Sequence, residues 1–148
     1  MPGALLASGT HDLILRPILV RLHNSAVLNL GVTQPIDDRW LTAFIWEGLL
    51  TFLLMLIIMA VATDFRAVGH MAGLAIGSTV WFEAMFAGPL CGASMNPARS
   101  LGPAAMSSEW SHFSAYVLGP VLGALVGAFF YEFIRCHPSE DNEVKGCC

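Results

Sequence analysis

Charge is scarce in this sequence: 12% of its 148 residues are Asp, Glu, Lys or Arg, about half the share found in an ordinary soluble domain. Seven Lys and Arg against eleven Asp and Glu give a net charge of -4, which leaves no basic surface for binding phosphates. The four cysteines have no paired metal-ligand spacing, so neither a disulfide framework nor a zinc site is indicated. These shortages exclude a nucleic-acid-binding protein and argue against a water-soluble globule.

The sequence also lacks the residue sets that catalysis requires. It contains no Ser/His/Asp set, metal-ligand cluster or glycine-rich phosphate loop, so we predict neither an enzyme nor a cofactor. Its first residues lack the basic region and apolar core of a secretory signal, and we expect no cleavage there. The tail, 136–148, is polar and acidic and is expected to be a solvated cytosolic end. Whether Cys147 and Cys148 carry a lipid stays open, because the pair does not fit a C-a-a-X box.

Apolar residues make up 55% of the chain and concentrate in three long stretches. Residues 40–62 contain one charge, Glu47, and a helix over this range reaches about 34 Å, enough to cross a hydrocarbon core of ~30 Å. Residues 67–87 and 113–134 also have spanning length, although each contains one glutamate. We therefore predict an all-α, integral, multi-pass membrane protein with three transmembrane helices.

Small residues recur at every fourth position in the second and third spans. Such spacing places them on one helix face and forms a flat strip along which two helix backbones can approach closely. Lipid supplies no hydrophobic drive for helix association, so close backbone contact must hold the helices together. The glycines predicted to pack in this way are Gly69, Gly73 and Gly77 in one span and Gly119, Gly123 and Gly127 in the other.

The segment 88–105 is apolar enough to enter a membrane, too short to cross it, and interrupted by Gly-Pro pairs. We predict that it enters partway and turns back. Irregular backbone at membrane depth needs protein or water to satisfy its polar groups, so 88–95 is expected to line an aqueous path. We then predict that Asn96 is the N-cap, and Pro97 the first residue, of a half-helix that ends at residue 105 and is about 13 Å long.

The N-terminus of this half-helix would bring about half a positive charge to the membrane midplane. Asn96 can offer amide protons there, and Arg99 lies one turn further along the same face. Both features would repel cations and protons. Glu47 is expected to accept hydrogen bonds from free N–H groups of 88–95. The sequence does not decide whether Glu83 faces a pore vestibule or a neighbouring subunit.

The string GASMNPARSLGP, Gly92 to Pro103, resembles the second Asn-Pro-Ala signature of the aquaporin and glycerol-facilitator (major intrinsic protein) family, in the style of its bacterial and plant nodulin-like branches. The resemblance covers residues 30–135. It implies that the three spans are helices four, five and six of that fold, that the C-terminus is cytosolic, and that the channel passes water or small neutral solutes.

The same resemblance assigns pore positions by their offset from the signature. It implies that Arg99 is the filter arginine, that Ala93 is the filter position in the loop, and that Ala84 is the filter position in the fifth helix. Two alanines imply a wide filter, which favours glycerol-like polyols, urea or metalloid acids alongside water. The signature triplet itself, Asn96, Pro97 and Ala98, completes the expected pore set.

The chain departs from the family in its first part. Full-length members have two inverted halves of three spans each, and only the second half is recognisable here. Residues 1–39 are expected to be a degenerate remnant of the third helix followed by an extracellular loop, because Gly9 to Asp12 and Arg16-Pro17 interrupt the apolar run.

Two functional hypotheses follow. The leading one is a passive channel subunit or half, acting as a homo-tetramer or together with full-length homologues, with membrane lipid, water and small uncharged solutes as its partners. The alternative is a non-conducting truncated fragment that associates with full-length homologous subunits. A second alternative is an inactive truncated product or a mis-called start.

Overall fold

The computed structural model of the chain describes residues 2–23, 31–64 and 69–135. A π-helical turn, Met59–Thr63, follows the second helix and a 3-10 turn, Gly69–Met71, precedes the third. The described residues contain no strand, so the predicted all-α fold is confirmed. Within these ranges the α-helices are α1 (Pro2–His23), α2 (Trp40–Ile58), α3 (Ala72–Cys91), α4 (Pro97–Ser107) and α5 (Phe113–Ile134).

Three helical segments are long and apolar enough to cross a membrane. They are Trp40–Thr63, Gly69–Cys91 and Phe113–Ile134. The prediction of three transmembrane helices is therefore confirmed; of the predicted spans, only the first two residues of 67–87 lie outside the described residues.

Helix α3 continues further than predicted. The sequence suggested a break at Gly88-Pro89, but the helix ends at Cys91, and the irregular segment is only 92–96. Pro89 lies in the last turn and leaves the carbonyl of Met85 without its helical donor, yet the helix continues for two more residues. Gly92 ends the helix with a φ of 85°, and its N–H donates to the carbonyl of Gly88.

Residues 2–23 form one continuous helix. The polar residues that interrupt the apolar run find partners within the helix, so they lower its hydropathy without ending it. The Thr10 hydroxyl donates to the carbonyl of Leu6 at 2.8 Å, and Arg16 pairs with Asp12 at 2.7 Å. Among the described helices, α1 is not one of those apolar enough to span.

Helix α1 packs against the half-helix α4 at Gly102. A Cβ on this glycine would collide with the backbone carbonyl of Ala4 and the hydroxyl of Ser8. Only a residue without a side chain lets the two backbones approach this closely. The contact with α1 holds α4 in place along the face that carries Gly102.

The glycines of α5 pack as predicted against α2. A Cβ at Gly123 would collide with the backbone of Gly48, and one at Gly127 would lie 2.8 Å from the carbonyl oxygen of Phe52. Gly119 lies against Phe44 and Glu47 of the same helix. Helices α2 and α5 therefore form a close crossing along the strip that the sequence predicted.

The glycines of the second span do not behave in this way. A Cβ at Gly69, Gly73 or Gly77 would have no atom within 4 Å among the described residues. The prediction of a packed strip is wrong here for contacts within the described residues, because α3 contacts α2 through a different face and reaches α5 only at Cys91, its last residue. We call these three glycines the open strip.

The close crossing of α2 and α5 gives the first prediction. Substituting Gly123→Leu should destabilise the fold by about 3 kcal/mol, because the new side chain meets the Gly48 backbone, which cannot rotate away. Gly73→Leu is the matched control, since that side chain would enter open space. Thermal unfolding of the detergent-solubilised chain, followed by circular dichroism, should show a lowered Tm for Gly123→Leu only. Equal Tm values for the two variants would contradict the crossing.

Candidate functional site

The turn that joins α3 to α4 has an unusual backbone. Gly92, Ala93 and Met95 have φ values of 85°, 40° and 51°, all in the left-handed region. That region costs a residue with a side chain about 1 kcal/mol or more. The turn therefore needs outside contacts to hold it in this shape.

The carboxylate of Glu47 provides the strongest of these contacts. One oxygen accepts the N–H of Ser94 at 2.8 Å, and the other accepts the N–H of Met95 at 2.6 Å. The Cys91 thiol also lies 3.5 Å from this carboxylate. Glu47 is 0% exposed, so its charge and both amides would be unsatisfied without each other. These are backbone groups of the segment that the sequence analysis expected Glu47 to bind.

The C-terminal carbonyls of α3 are satisfied from two directions. The Tyr116 hydroxyl of α5 donates to the carbonyl of Cys91 at 2.6 Å. The N–H of Ile36, in the loop before α2, donates to the carbonyl of Leu90 at 2.9 Å. The end of α3 is thus fixed before the strained turn begins.

Three buried hydroxyls form a chain beneath the turn. Thr33 and Ser100 lie 2.9 Å apart, Ser100 donates to Ser94 at 2.7 Å, and Ser94 donates to the backbone carbonyl of Asn96 at 2.9 Å. One consistent direction, with each hydroxyl donating to the next, satisfies all three. This chain of hydroxyls connects the loop before α2 to Asn96, the residue at the start of the half-helix.

The loop that carries Thr33 also closes over the turn. A Cβ on Gly92 would lie 3.1 Å from Thr33, so the two backbones are in close contact. At the far end of this loop, the Thr42 hydroxyl lowers the pKa of Asp37 by donating to its carboxylate at 2.7 Å.

Asn96 caps the half-helix. Its backbone is extended, and its side-chain oxygen accepts the N–H of Ala98 at 2.9 Å. Pro97 occupies the first helical position, where its missing N–H costs nothing. With the oxygen used by the helix, the exposed amide nitrogen of Asn96 is the part free to donate.

The half-helix is longer than predicted. It runs from Pro97 to Ser107 instead of ending at residue 105, and it passes through Gly102 and Pro103 without a break. Pro103 is buried and lies where α4 meets its neighbours. Its length of about 16 Å remains well short of a membrane crossing.

Arg99 folds back onto the turn. Its Nη1 donates to the carbonyls of Gly92 at 3.1 Å and Ala93 at 3.3 Å. The side chain is exposed, as is Asn96, whereas Ala93 is buried at 2% exposure. The partial positive charge of the α4 N-terminus and a guanidinium therefore lie at one exposed tip.

Ala84 is not brought to this tip by the described residues. It is exposed on α3, and α3 makes no contact with α4. The structure thus groups Ala93, Asn96, Pro97, Ala98 and Arg99 but leaves Ala84 on a separate, uncovered helix face.

Sequence reasoning missed several supporting residues. Ser94 and Ser100 lie on either side of the Asn96-Pro97-Ala98 triplet and are polar within an apolar segment. Polar residues in such a segment are a usable signal for buried, hydrogen-bonded hydroxyls. Thr33 and Tyr116 carried no such signal, because they are far from the turn in sequence and meet it only through the fold.

Three spanning helices and a capped half-helix too short to cross define an integral, multi-pass membrane protein. Residues 2–131 match the Major intrinsic protein family, and the chain belongs to that family. It is a family of channels rather than enzymes.

Three of the relatives that the chain resembles are plant proteins. Aquaporin NIP2-1 of Oryza sativa subsp. japonica is 44% identical over 145 residues, covering 97% of this chain and 45% of its own length. Nodulin-26 of Glycine max is 46% identical over 133 residues, covering 90% and 46%. Aquaporin NIP1-4 of Oryza sativa subsp. japonica is 56% identical over 89 residues, covering 60% and 33%. The chain therefore spans less than half the length of these relatives.

The anchoring by Glu47 gives a prediction about the turn. Glu47→Leu leaves the N–H groups of Ser94 and Met95 without an acceptor, at a cost of about 1–3 kcal/mol each, so the turn should open. Cys91, which is 0% exposed, reports the opening through maleimide alkylation in a background where Cys136, Cys147 and Cys148 are serine. Alkylation should be fastest for Glu47→Leu and intermediate for Glu47→Gln, which keeps one acceptor oxygen. Equal rates in all three proteins would contradict the anchoring.

The hydroxyl chain gives a second, smaller effect. Ser100→Ala removes the central hydroxyl and leaves Thr33 and Ser94 each with one lost partner, so the turn should be destabilised by about 1 kcal/mol. The same Cys91 alkylation measures it. Ser107→Ala on the same helix is the control, because among the described residues that hydroxyl donates only to the carbonyl of Pro103, at 2.6 Å. A rate for Ser100→Ala no higher than that of the control would count against the chain.

Proposed function

We propose that this chain forms one half or one subunit of a passive membrane channel for water and small neutral solutes. The observation that carries the proposal is the exposed tip of α4, where the Asn96 amide and the Arg99 guanidinium lie together on the turn held by Glu47. Membership of the Major intrinsic protein family supports the same reading.

The chemistry of the tip suits molecules that exchange hydrogen bonds without charge. Asn96 and Arg99 offer donors, and the carbonyl of Gly92, which is partly exposed, supplies an acceptor beside them. A passing water or alcohol can replace its lost hydration with these groups. A cation would meet the half-helix N-terminus and the guanidinium, both positive, in a place where it has shed water. We therefore propose exclusion of cations and protons at this point.

Small side chains favour solutes larger than water. The resemblance to the family assigns the filter to Ala84, Ala93 and Arg99, and two methyl groups leave more room than bulkier residues would. We propose that glycerol-like polyols pass alongside water. The names of the relatives, two of them called aquaporins, say nothing further about the solute carried by this chain.

A complete conduit needs a wall opposite α3. The face of α3 that carries Ala84 and the open strip meets no other described helix. We propose that polypeptide beyond this half supplies that wall, in an assembly with full-length homologues or in a homo-tetramer.

The same uncovered face favours a second function. If α3 packs on a full-length homologue without completing a conduit, the chain acts as a non-conducting partner that alters the homologue. Gly73 and Gly77 leave open space for such a contact.

Osmotic shrinkage of vesicles containing the chain tests the first proposal. Conduction by the chain predicts faster shrinkage than in empty vesicles in sucrose, and re-swelling in glycerol. Arg99→Ala should raise proton leakage, since it removes one positive charge from the tip. Arg135→Ala is the control, because that arginine lies beyond the end of α5 and pairs with Glu132 at 2.9 Å.

Vesicles that hold both the chain and a full-length homologue separate the two functions. Shrinkage no faster than in empty vesicles for the chain alone, together with a changed rate for the homologue, would contradict conduction and support the non-conducting role. No change in either preparation would contradict both.

A further inference from the structure

A histidine and an aspartate meet where α2 and α5 begin, at the end of the molecule where α3 finishes. His112 is the residue before α5, and Asp38 lies two residues before α2. The imidazole Nδ1 of His112 lies 3.6 Å from a carboxylate oxygen of Asp38. The backbone of both residues is left-handed, with φ values of 60° and 53°. The contact therefore joins the loop before α2 to the start of α5.

The imidazole is incompletely satisfied in this contact. Its Nδ1 is buried and has no hydrogen-bond partner among the described residues, because 3.6 Å is longer than an N–H···O bond. A buried polar atom without a partner is costly. The Asp38 side chain is 91% exposed, so no packing prevents its carboxylate from moving the short distance to Nδ1.

Protonation of His112 supplies what the contact lacks. A neutral imidazole carries a hydrogen on one ring nitrogen, whereas the imidazolium carries one on each. An Nδ1–H opposite a carboxylate favours a charge-assisted hydrogen bond of about 2.7–2.9 Å. Histidine is the side chain that changes charge between about pH 5 and pH 8. Acid should therefore draw Asp38 and His112 together.

The other charged groups of the loop before α2 are engaged elsewhere. The Asp37 carboxylate accepts the Thr42 hydroxyl at 2.7 Å and the N–H of Arg39 at 3.3 Å. The Arg39 guanidinium lies 3.9 Å from the same carboxylate. Asp38 is thus the carboxylate of this loop that faces His112.

Both partners belong to segments that hold the end of α3. Ile36, two residues before Asp38, donates its N–H to the carbonyl of Leu90 at 2.9 Å. The Tyr116 hydroxyl, one turn of helix after His112, donates to the last carbonyl of α3 at 2.6 Å. Closing the contact between the two segments therefore tightens both supports of the turn that leads to the α4 tip.

We propose that His112 and Asp38 form a pH-sensitive clamp, in which protonation of His112 closes the contact and holds the loop before α2 more tightly over the end of α3. Because Asp38 is exposed, water screens the pair and the effect is modest. The clamp uses neither Asn96 nor Arg99, so it stands or falls independently of the channel role.

Hydrogen exchange of the Ile36 amide, followed by NMR on the chain in lipid nanodiscs, measures the clamp. Its protection factor, which corrects for the intrinsic pH dependence of exchange, should be about threefold higher at about pH 5.5 than at about pH 7.5. His112→Gln and Asp38→Asn should each abolish this difference, because each removes one of the two charges. Every variant is compared with itself at the two pH values, so a general loss of stability does not imitate the result.

His70→Gln is the matched control, because His70 lies in the turn before α3, at the opposite end of that helix. Glu109→Gln removes the carboxylate three residues before His112. The pH difference should persist in both variants. Three results would overturn the proposal: equal protection of the unchanged chain at the two pH values, a difference that survives Asp38→Asn, or a difference that is lost in Glu109→Gln. The last result would make Glu109 the partner of the imidazolium.

Discussion

The site depends on one buried pair of hydrogen bonds, from two backbone amides of the turn after α3 to the carboxylate of Glu47. The turn contains residues in left-handed conformations that would not persist in isolation. A carboxylate buried in a membrane helix would also be costly alone. The two amides compensate the carboxylate for its lost hydration, and the carboxylate satisfies the two buried amides. The turn keeps its left-handed backbone as a consequence.

The rest of the fold positions this contact. The glycines of α5 bring its backbone against α2, which places Tyr116 on the last carbonyl of α3. Gly102 brings α1 against the other side of α4. Asn96 and Arg99 are exposed at the tip because neighbours on several sides hold the backbone that carries them.

Much of this architecture was predictable because its signals are local. Spanning length, the Asn-Pro cap and the four-residue spacing of Gly119 to Gly127 are all read within one segment. The errors arose where context overrides local preference. Gly88-Pro89 was expected to interrupt the chain, but α3 continues through Pro89 to Cys91. The polar residues of α1 interrupt its apolar run, as expected, but they do not end the helix.

Partners distant in sequence could not be predicted in the same way. The spacing that predicted packing for the α5 glycines is the same in the open strip, yet only the former meets another helix. Thr33 reaches Ser100 only because the loop before α2 folds over Gly92. Hydropathy and spacing give the number of helices, but they do not say which face of each helix is covered.

Amide hydrogen exchange tests the role of Glu47 most directly. In the unchanged chain, the N–H groups of Ser94 and Met95 should exchange as slowly as those in the middle of α2, although the turn that holds them is not helical. Exchange of these two amides at the rate of an open loop would contradict the account, because it would mean that the carboxylate does not hold the turn.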